Sequence, residues 1–232
     1  MGKLNKSKGN MYDWVTHTWS PIQGCPHQCS YCYVRKFKNL PVEVTMDQEF
    51  PELGTGKTIF IAHMGDLFAQ DVNSGIIKTV LEYCNEWENN YIFQTKNVQR
   101  LWLYRQGLPR RSIIGTTIET DDNNILSKIS KAPFVELRST YMRCFHEDGY
   151  KTFLTIEPIL DFTPRLLFNL IANAKPDFVN IGADSKGHGL PEPKAGKINE
   201  LIKMINDAGI EIRKKSNLSR LLNPTTAEAG KE

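Results

Sequence analysis

The most informative stretch of the sequence is residues 24–33, which read Gly24-Cys25-Pro26-His27-Gln28-Cys29-Ser30-Tyr31-Cys32-Tyr33. Its three cysteines have the spacing C-x3-C-x2-C. A [4Fe-4S] cluster with four thiolate ligands normally transfers only electrons, whereas three ligands leave one iron open. An open iron can bind a substrate or a cofactor. The spacing of Cys25, Cys29 and Cys32 therefore suggests an iron-sulfur site at which chemistry occurs.

Two other uses of these cysteines fit the sequence less well. A Cys3His zinc site could recruit His27, but structural zinc motifs usually place two short ligand pairs on either side of a longer spacer. A disulfide framework conflicts with the odd number of cysteines, five, and with the absence of a secretory signal. The remaining thiols, Cys84 and Cys144, lie far downstream in helix-like sequence and do not look like further ligands.

The composition is that of an ordinary globular protein, with 232 residues of which 40% are hydrophobic and 24% charged. We expect one domain over residues 11–222, with flexible tails at 1–10 and 223–232. No apolar run reaches the eighteen or so residues that span a bilayer, and residues 1–10 lack the apolar core of a signal peptide. These features predict a cytoplasmic protein that does not enter a membrane.

The net charge of +3 does not by itself indicate a nucleic-acid partner. Basic residues do form local clusters, which would make a phosphate-binding surface if they converged on one face and would otherwise be scattered solvated charges. The clusters are Arg35, Lys36 and Lys38; Lys96, Arg100, Arg105, Arg110 and Arg111; and Arg213, Lys214, Lys215 and Arg220.

Short apolar runs alternate with amphipathic stretches of helical period, a pattern typical of βαβ units in a parallel sheet. The predicted strands are 58–62, 91–94, 113–118, 152–156, 178–181 and 211–213, with a weaker first strand in 14–19. Predicted helices begin at Asn73 or Ser74, at Thr163-Pro164 and at Lys197, and the last ends near Gly209. The strands are too few for a closed eight-stranded barrel. The expected fold is therefore α/β, with a partial (β/α)6 barrel.

Polar residues recur just after these strands, where the loops of a parallel barrel converge over one mouth. Because polar residues follow each of the predicted strands from 58–62 onward, we interpret them as one set rather than as unrelated loop residues. The set is His63, Gly65 and Asp66; Gln94, Thr95 and Lys96; Thr117 and Glu119; Glu157; Asp184, Ser185 and Lys186; and Lys214, Lys215 and Ser216.

The cysteine loop resembles the radical S-adenosylmethionine (SAM) superfamily, whose hallmark is C-x3-C-x-aromatic-C with Tyr31 in the aromatic position. The likeness extends to a phage- and prophage-encoded group of radical SAM proteins known as a domain of unknown function. Five segments over roughly residues 12–218 carry it, the last differing at two positions from that group's Gly-Gly-Glu-Ser stretch. They are Trp19-Ser20-Pro21-Ile22-Gln23-Gly24-Cys25, Met64-Gly65-Asp66-Leu67-Phe68, Gln94-Thr95-Lys96-Asn97, Ile156-Glu157-Pro158-Ile159-Leu160 and Ile181-Gly182-Ala183-Asp184-Ser185.

The resemblance implies a [4Fe-4S] cluster held by Cys25, Cys29 and Cys32, with SAM on the fourth iron. Reduction of the cluster would cleave SAM to a 5′-deoxyadenosyl radical that abstracts a hydrogen atom from the substrate. The resemblance places Tyr31 near the adenine. By strand position it implies that Gly65 and Asp66 contact the SAM amine and that Thr117 and Glu119 contact the ribose. The superfamily has Gly-Gly-Glu where this chain has Met64-Gly65-Asp66.

The strand-end groups that SAM does not claim are candidates for substrate binding and catalysis. Gln94, Lys96, Glu157 and Asp184 are predicted to contact a polar or anionic substrate, and Lys96, Glu157, Asp184 and Lys215 are the candidate catalytic residues. The alternative, purely structural interpretation of Lys96 and Lys215 is that each forms an ion pair with a neighbouring acid such as Glu157. Cys144 could return a hydrogen atom to a product radical, although a helical cysteine usually serves packing.

Three hypotheses follow from these features. The first is a radical SAM isomerase, lyase or transferase that modifies a nucleobase or its substituent in phage DNA, in the cytoplasm of an infected bacterial host. The second is a radical SAM enzyme for a small metabolite or a peptide. The third is a non-catalytic, metal-stabilised module that binds nucleic acid. The enzyme hypotheses require a flavodoxin- or ferredoxin-like electron donor, and the oligomeric state is not predicted.

Overall fold

The computed structural model describes residues 3–9, 11–36 and 39–223. Its strands carry the labels β1 to β10 in chain order. They are β1 Asn5–Lys6, β2 His17–Trp19, β3 Ile22–Gln23, β4 Thr45–Met46, β5 Thr58–Ile61, β6 Asn90–Gln94, β7 Ser112–Thr117, β8 Lys151–Ile156, β9 Phe178–Ile181 and β10 Glu211–Lys214.

Helices follow the main strands, and several begin at a side chain that caps them. They are α1 Ser74–Asn85, α2 Val98–Leu103, α3 Asn123–Ile129, α4 Val135–Glu147, α5 Pro164–Ala174, α6 Ala195–Asp207 and α7 Ser219–Leu222. The Asn73 side chain accepts a hydrogen bond from the Gly75 amide, Asn97 accepts one from Arg100, and Asp122 accepts one from Asn124. Each cap satisfies an amide that the first helical turn leaves without a partner.

Eight of the strands form one sheet in the order β1-β2-β5-β6-β7-β8-β9-β10, and β3 pairs separately with β4. Every neighbouring pair from β2 to β10 is parallel, while β1 runs antiparallel to β2. The sheet does not close, since β1 and β10 are its two edges in the described part of the chain. The predicted α/β class with an incomplete barrel is confirmed.

Side chains alternate between the two faces of the sheet along each strand. Both faces are buried, because each packs against other parts of the chain. One face packs on the helices through residues such as Ile61, Phe93 and Leu154. The other face is the concave one, where Phe60, Ile92, Phe153 and Phe178 pack together under Tyr12 and Trp14 of the segment before β2. This amino-terminal segment therefore covers the inner face of the sheet.

The register explains why the predicted site residues meet. Phe60, Ile92 and Ile113 are register partners on β5, β6 and β7, and partners on adjacent strands share a face. Counting onward in steps of two along each strand gives the inner-face positions near the carboxyl edge. These are Gln94 and Lys96, Thr117 and Glu119, Thr155 and Glu157, and Arg213 and Lys215.

The tails differ in part from the prediction. Asn5 and Lys6 are paired with Thr18 and His17, so residues within the predicted amino-terminal tail form an edge strand. Most of the predicted carboxyl-terminal tail, residues 224–232, lies outside the described residues, as do residues 1, 2 and 10.

Within the described residues, no helix is both long enough and apolar enough to cross a membrane.

Candidate active site

A cavity of about 1080 Å³ opens at the carboxyl edge of the sheet. The three cysteines line it together with residues that follow β5, β6, β8, β9 and β10. Six neighbouring strands in a flat sheet would span about 24 Å, so only a curved sheet can bring these loops around one space. The predicted site residues in its lining are Tyr31, Gly65, Asp66, Gln94, Lys96, Thr117, Glu157, Asp184 and Lys215.

The cysteine loop is fixed by backbone contacts on two sides. Gly24 has a φ of +100°, and a Cβ there would lie 2.1 Å from the carbonyl oxygen of Glu43. A Cβ on Gly65 would lie 2.8 Å from the carbonyl oxygen of Gly24, so the two loops touch through glycines. On the other side, the Lys131 amide donates to His27 O at 2.7 Å and the Cys29 sulfur lies 3.2 Å from the Ser130 hydroxyl.

Asp66 connects the cysteine loop to the loops after β5 and β6. Its buried carboxylate accepts hydrogen bonds from His27 Nε2 at 2.8 Å, Thr95 Oγ1 at 2.7 Å, and the Phe68 and Lys96 amides at 3.0 and 2.8 Å. Burial raises the pKa of Asp66, but these donors outweigh it and hold the pKa below its usual value. With this many donors already bound, Asp66 is suited to positioning the loops rather than to the predicted SAM contact.

Glu119 is the centre of a buried charge network. Its carboxylate accepts hydrogen bonds from the Tyr31 hydroxyl, the Lys96 ammonium and the Arg138 guanidinium, the last at 2.9 Å. Burial opposes its ionisation, but the charges of Lys96 and Arg138 lower the pKa of Glu119 to about 2. The side chain is 0% exposed and does not line the cavity. The structure thus shows Glu119 in a buried ion pair, and the ribose contact expected from its strand position stays a prediction.

Lys96 reaches the cavity wall as part of this network. Its ammonium group donates to the Tyr31 hydroxyl at 2.7 Å and lies 4.9 Å from the centre of the Tyr31 ring. The sequence analysis named Glu157 as an example of an acid for Lys96 to pair with, but the partner is Glu119. Lys96 thus ties the aromatic residue of the cysteine motif to the end of β6.

Glu157 and Lys215 form an ion pair across the opposite side of the cavity. The two groups are 2.8 Å apart, and the Asn217 amide also donates to Glu157 at 3.2 Å. Gly182 permits this arrangement, because a Cβ there would lie 2.9 Å from the Glu157 carboxyl carbon. The pairing of Lys215 with Glu157 agrees with the structural interpretation of the sequence, in which Lys215 pairs with an acid. Both side chains remain partly exposed to the cavity.

Asp184 organises the loop that follows β9. Its carboxylate accepts hydrogen bonds from the Lys186 amide at 3.1 Å and from His188 through both the backbone and Nδ1, the latter at 2.7 Å. Burial raises the pKa of Asp184, but these hydrogen bonds lower it overall. The loop presents Lys186 and His188 to the cavity.

Tyr12 is a site residue that the sequence analysis did not identify. Its hydroxyl donates to Gln94 Oε1 at 2.9 Å and lies 2.7 Å from Thr155 Oγ1, and Gln94 in turn donates to Thr117 at 3.2 Å. Burial raises the pKa of Tyr12 well above its usual value, so the phenol stays protonated. Only its position in an otherwise polar segment, next to Trp14, could have drawn attention to it.

His63 was part of the predicted strand-end set and lines the cavity. Its Nδ1 lies 3.0 Å from the Ser20 hydroxyl, and burial lowers the pKa of His63 to about 4. The imidazole is therefore neutral near pH 7.

The middle basic cluster does not form a common surface. The Arg100 guanidinium donates to the carbonyl oxygens of Ala69, Gln70 and Val72, while Arg105 stacks 4.4 Å from the Trp102 ring. Arg110 and Arg111 precede β7, at the opposite edge of the sheet from the cavity.

The remaining basic residues and the two cysteines outside the motif also do not contribute a common binding surface or a cavity thiol among the residues that the structure describes. Arg220 pairs with Glu192 at 2.6 Å. Lys38 of the first cluster lies outside the described residues. Cys84 is buried in the core, and Cys144 lies on α4 and does not line the cavity, so it is badly placed for the hydrogen-atom transfer considered from sequence.

The cysteine loop fits an iron-sulfur cluster by its donor set, since three thiols face one cavity and thiolates are the ligands such clusters use. Burial and the nearby Asp66 raise the pKa of Cys25 to about 12, so binding iron there would release a proton. His27 points its Nε2 at Asp66, so only its Nδ1 remains for any other contact. Within the described residues, no three His, Cys, Asp or Glu side chains converge to hold a single metal ion.

Comparison with known proteins gives structural neighbours only. No protein-family model matches the sequence, and no curated protein matches it. A spore photoproduct lyase complexed with dinucleoside spore photoproduct superposes with a TM-score of 0.65 over 89% of this chain and 78% of that chain, at 11% identity. A variant of that lyase with bound AdoMet and the same ligand gives 0.58 over 86% and 64%, at 13% identity.

SuiB from Streptococcus suis, bound to S-adenosylmethionine, gives a TM-score of 0.56 over 88% of this chain and 51% of that chain, at 11% identity. Another structure of SuiB contains the precursor peptide SuiA. These neighbours are radical SAM enzymes.

The chain shares the fold of these neighbours. It spans 64% of the lyase chain that carries AdoMet and about half of the SuiB chain. The neighbours agree with the predicted partial barrel. In this fold the cysteine loop follows β2 and the candidate site lies at the carboxyl edge of the sheet.

Proposed function

We propose that this protein is a radical SAM enzyme that modifies or rearranges a nucleobase, or a substituent of one, in DNA or a nucleotide. The observation that carries the proposal is the single cavity into which three cysteines and the polar ends of the parallel strands open. The neighbouring lyase, whose structures contain a dinucleoside photoproduct, supports the choice of substrate class. So does the resemblance of the five sequence segments to a phage-encoded group.

Cys25, Cys29 and Cys32 are proposed to hold a [4Fe-4S] cluster, with SAM bound beside it along Gly65 and Thr117. The chemistry that cluster and SAM supply together is reductive formation of a radical able to abstract hydrogen. Tyr31 would bound the SAM site and is held in place by Glu119 and Lys96. Asp66 and Glu119 serve as positioning residues, since their carboxylates are already hydrogen-bonded inside the protein.

The substrate is proposed to occupy the side of the cavity formed by Gln94, Glu157, Asp184 and Lys215. Lys186 and His188 belong to the same wall, and Lys6 and Lys8 reach the cavity from the amino-terminal segment. The three lysine side chains suit the phosphates that flank a base. A base in a duplex must leave the stack to reach a site this enclosed, which favours single-stranded or already distorted DNA.

The enzyme class is tested by anaerobic reconstitution with iron and sulfide. We expect a brown protein that releases 5′-deoxyadenosine from SAM with a strong reductant, and loss of both properties in Cys29→Ala. Cys144→Ser is the matched control, because Cys144 lies outside the cavity. Stoichiometric zinc binding, without colour and without 5′-deoxyadenosine, would support the non-catalytic module instead.

The substrate class is tested by mass spectrometry of DNA, nucleotides and peptides after incubation with the reconstituted protein. A mass change in DNA that weakens with added salt is the expected result, because phosphate contacts are screened by salt. Turnover of a peptide alone would favour the alternative suggested by SuiB, which is bound to a precursor peptide in one structure. Equal turnover of a free nucleotide and DNA would restrict the proposal to nucleotides.

A further inference from the structure

The loop after β9 pairs a carboxylate with an imidazole in the wall of the cavity. Asp184 Oδ1 and His188 Nδ1 are 2.7 Å apart, and the two side chains are only 6% and 12% exposed. Both residues line the cavity. The sequence predicts Asp184 as a site residue from its place after a strand, whereas it does not single out His188.

The turn that brings His188 back to Asp184 does not depend on the imidazole ring. The Asp184 carboxylate accepts hydrogen bonds from the Lys186 and His188 amides, and these close the turn through the backbone. Gly187 and Gly189 each have a φ of +65°, a conformation that glycine adopts without strain. The bond between the ring and the carboxylate is therefore additional to those that shape the loop.

Residues that follow β10 hold the loop from outside. The Asn217 side-chain amide donates to the Ala183 carbonyl oxygen and to the Ser185 hydroxyl, both at 2.8 Å. The Arg220 guanidinium donates to the Asp184 carbonyl oxygen at 3.2 Å. A functional group on a loop needs such support to keep its geometry. The pair is therefore in position before a substrate binds.

One nitrogen of the His188 ring remains for the cavity. An imidazole whose Nδ1 donates to a carboxylate keeps its proton there, and Nε2 then offers a lone pair. Within the described residues, no hydrogen bond or ion pair uses Nε2 of His188. Nε2 is also not one of the buried polar atoms that lack a partner, so it is accessible from the cavity. An accessible ring nitrogen oriented by an acid is the arrangement of a general base.

The electrostatic surroundings favour this use of His188. Burial raises the pKa of Asp184, but the hydrogen bonds from His188 and Lys186 lower it overall, so the carboxylate is ionised near pH 7. Its negative charge stabilises the imidazolium that forms when Nε2 accepts a proton. The other charged groups of the loop, the cavity and the elements around them are Lys186, Lys6 and Lys8, the ion pair of Lys215 with Glu157, and the ion pair of Arg220 with Glu192.

We propose that His188 is a catalytic base for the substrate bound in this cavity, with Asp184 as its positioning residue. An O–H or N–H bond of the substrate breaks, the proton forms a bond to His188 Nε2, and the electron pair stays on the substrate. No oxidant or reductant takes part, and the imidazolium later loses the proton to water. The catalytic role rests on the proposed function, because it needs a substrate in this cavity, whereas the orientation of the ring does not.

The orientation is tested by NMR of the imidazole nitrogens in the full chain labelled with nitrogen-15. At a pH where His188 is neutral, we expect its proton on Nδ1, and in Asp184→Asn a shift of the population toward a proton on Nε2. Adding a single-stranded oligodeoxynucleotide should move the Nε2 resonance of His188 but not that of His146, which is exposed on α4 and does not line the cavity. A proton on Nε2 in the wild type, or an unmoved Nε2 resonance, would overturn the proposal.

The catalytic role is tested with the reconstituted protein, SAM, a reductant and the same oligodeoxynucleotide. The measured quantity is the amount of modified DNA per 5′-deoxyadenosine released, as a function of pH. His188→Asn should lower this ratio about a hundredfold and abolish its rise with pH, because the amide can still donate to Asp184 but cannot carry a proton. His146→Asn is the matched control and should change neither.

A ratio and a pH profile that His188→Asn leaves unaltered would also overturn the proposal. If the wild type releases no 5′-deoxyadenosine, the proposed enzyme class fails, and the NMR titration still decides whether His188 contacts the oligodeoxynucleotide. The two failures are therefore distinguishable.

Discussion

Glu119 carries its negative charge where water does not reach it, between Lys96 and Arg138. Removing one partner of a buried ion pair is costly, because it leaves the other charge without compensation. The same carboxylate also accepts the hydrogen bond of Tyr31, so its loss should disturb the residue beside the cysteines. At the scale of single residues, Glu119 is where stability and site geometry depend on one group.

We expect Glu119→Gln to lower the free energy of unfolding by about 3–5 kcal/mol near pH 7. The folded pKa of about 2 lies below the usual value near 4.3, so ionised Glu119 stabilises the fold at pH values above about 4. This contribution is lost as the pH falls through 4 toward 2. Denaturant unfolding from pH 7 to pH 3 should therefore show the difference between wild type and variant shrinking.

A difference that stays constant over this range would contradict the assigned pKa. Glu147→Gln is a useful control, since Glu147 forms an exposed pair with Lys175 and surface pairs contribute little. Its unfolding free energy should stay close to that of the wild type at every pH.

At the scale of strands and helices, the spacing between β7 and β8 depends on a missing side chain. Gly115 faces the ring of Phe153 on the neighbouring strand, and a Cβ at Gly115 would lie 2.2 to 2.7 Å from three ring carbons. Phe153 is fully buried in the inner-face cluster and has little room to move. The glycine therefore allows an aromatic core on the concave face of the sheet.

We expect Gly115→Ala to destabilise the protein by about 1–3 kcal/mol, because extra atoms in a packed core force shifts of side chains or backbone. Thermal and denaturant unfolding measure the effect. Gly196→Ala is the matched control, since Gly196 lies on α6 and a Cβ there meets nothing within 4 Å. Similar stabilities for the two variants would show that Phe153 can move aside.

At the scale of the whole molecule, the central strands of an open sheet are expected to be more stable than its two edge strands. β7 and β8 are paired on both sides, whereas β1 and β10 are each paired on one side within the residues that the structure describes. Opening free energies within a protein are lowest where few buried contacts hold the backbone.

Hydrogen exchange followed by mass spectrometry should show the slowest exchange for amides of β7 and β8 and faster exchange for β1 and β10. Uniform protection across the sheet would mean that the edges are held by something other than strand pairing.

The sequence by itself determined the parts of this protein that depend on local chemistry. Cysteine spacing does not depend on distant residues, so Cys25, Cys29 and Cys32 could be singled out as the candidate cluster ligands. Alternating apolar patterns fixed the strands within one or two residues in most cases, because a buried strand and an amphipathic helix differ in period. The strand ends then indicated Lys96, Glu157 and Lys215, whose common face follows from a period of two.

Partner choice was decided only by the tertiary structure. Sequence could not show that Glu119 faces Lys96 and Arg138 rather than the cavity, or that Asp66 meets His27, because these contacts join segments separated by 19 to 39 residues. The role of Tyr12 could not be read from the sequence either, since an amino-terminal segment acquires its role only when it folds across the sheet. Spacing along the chain sets chemistry and period, whereas the register and curvature of the sheet decide which charges and donors meet.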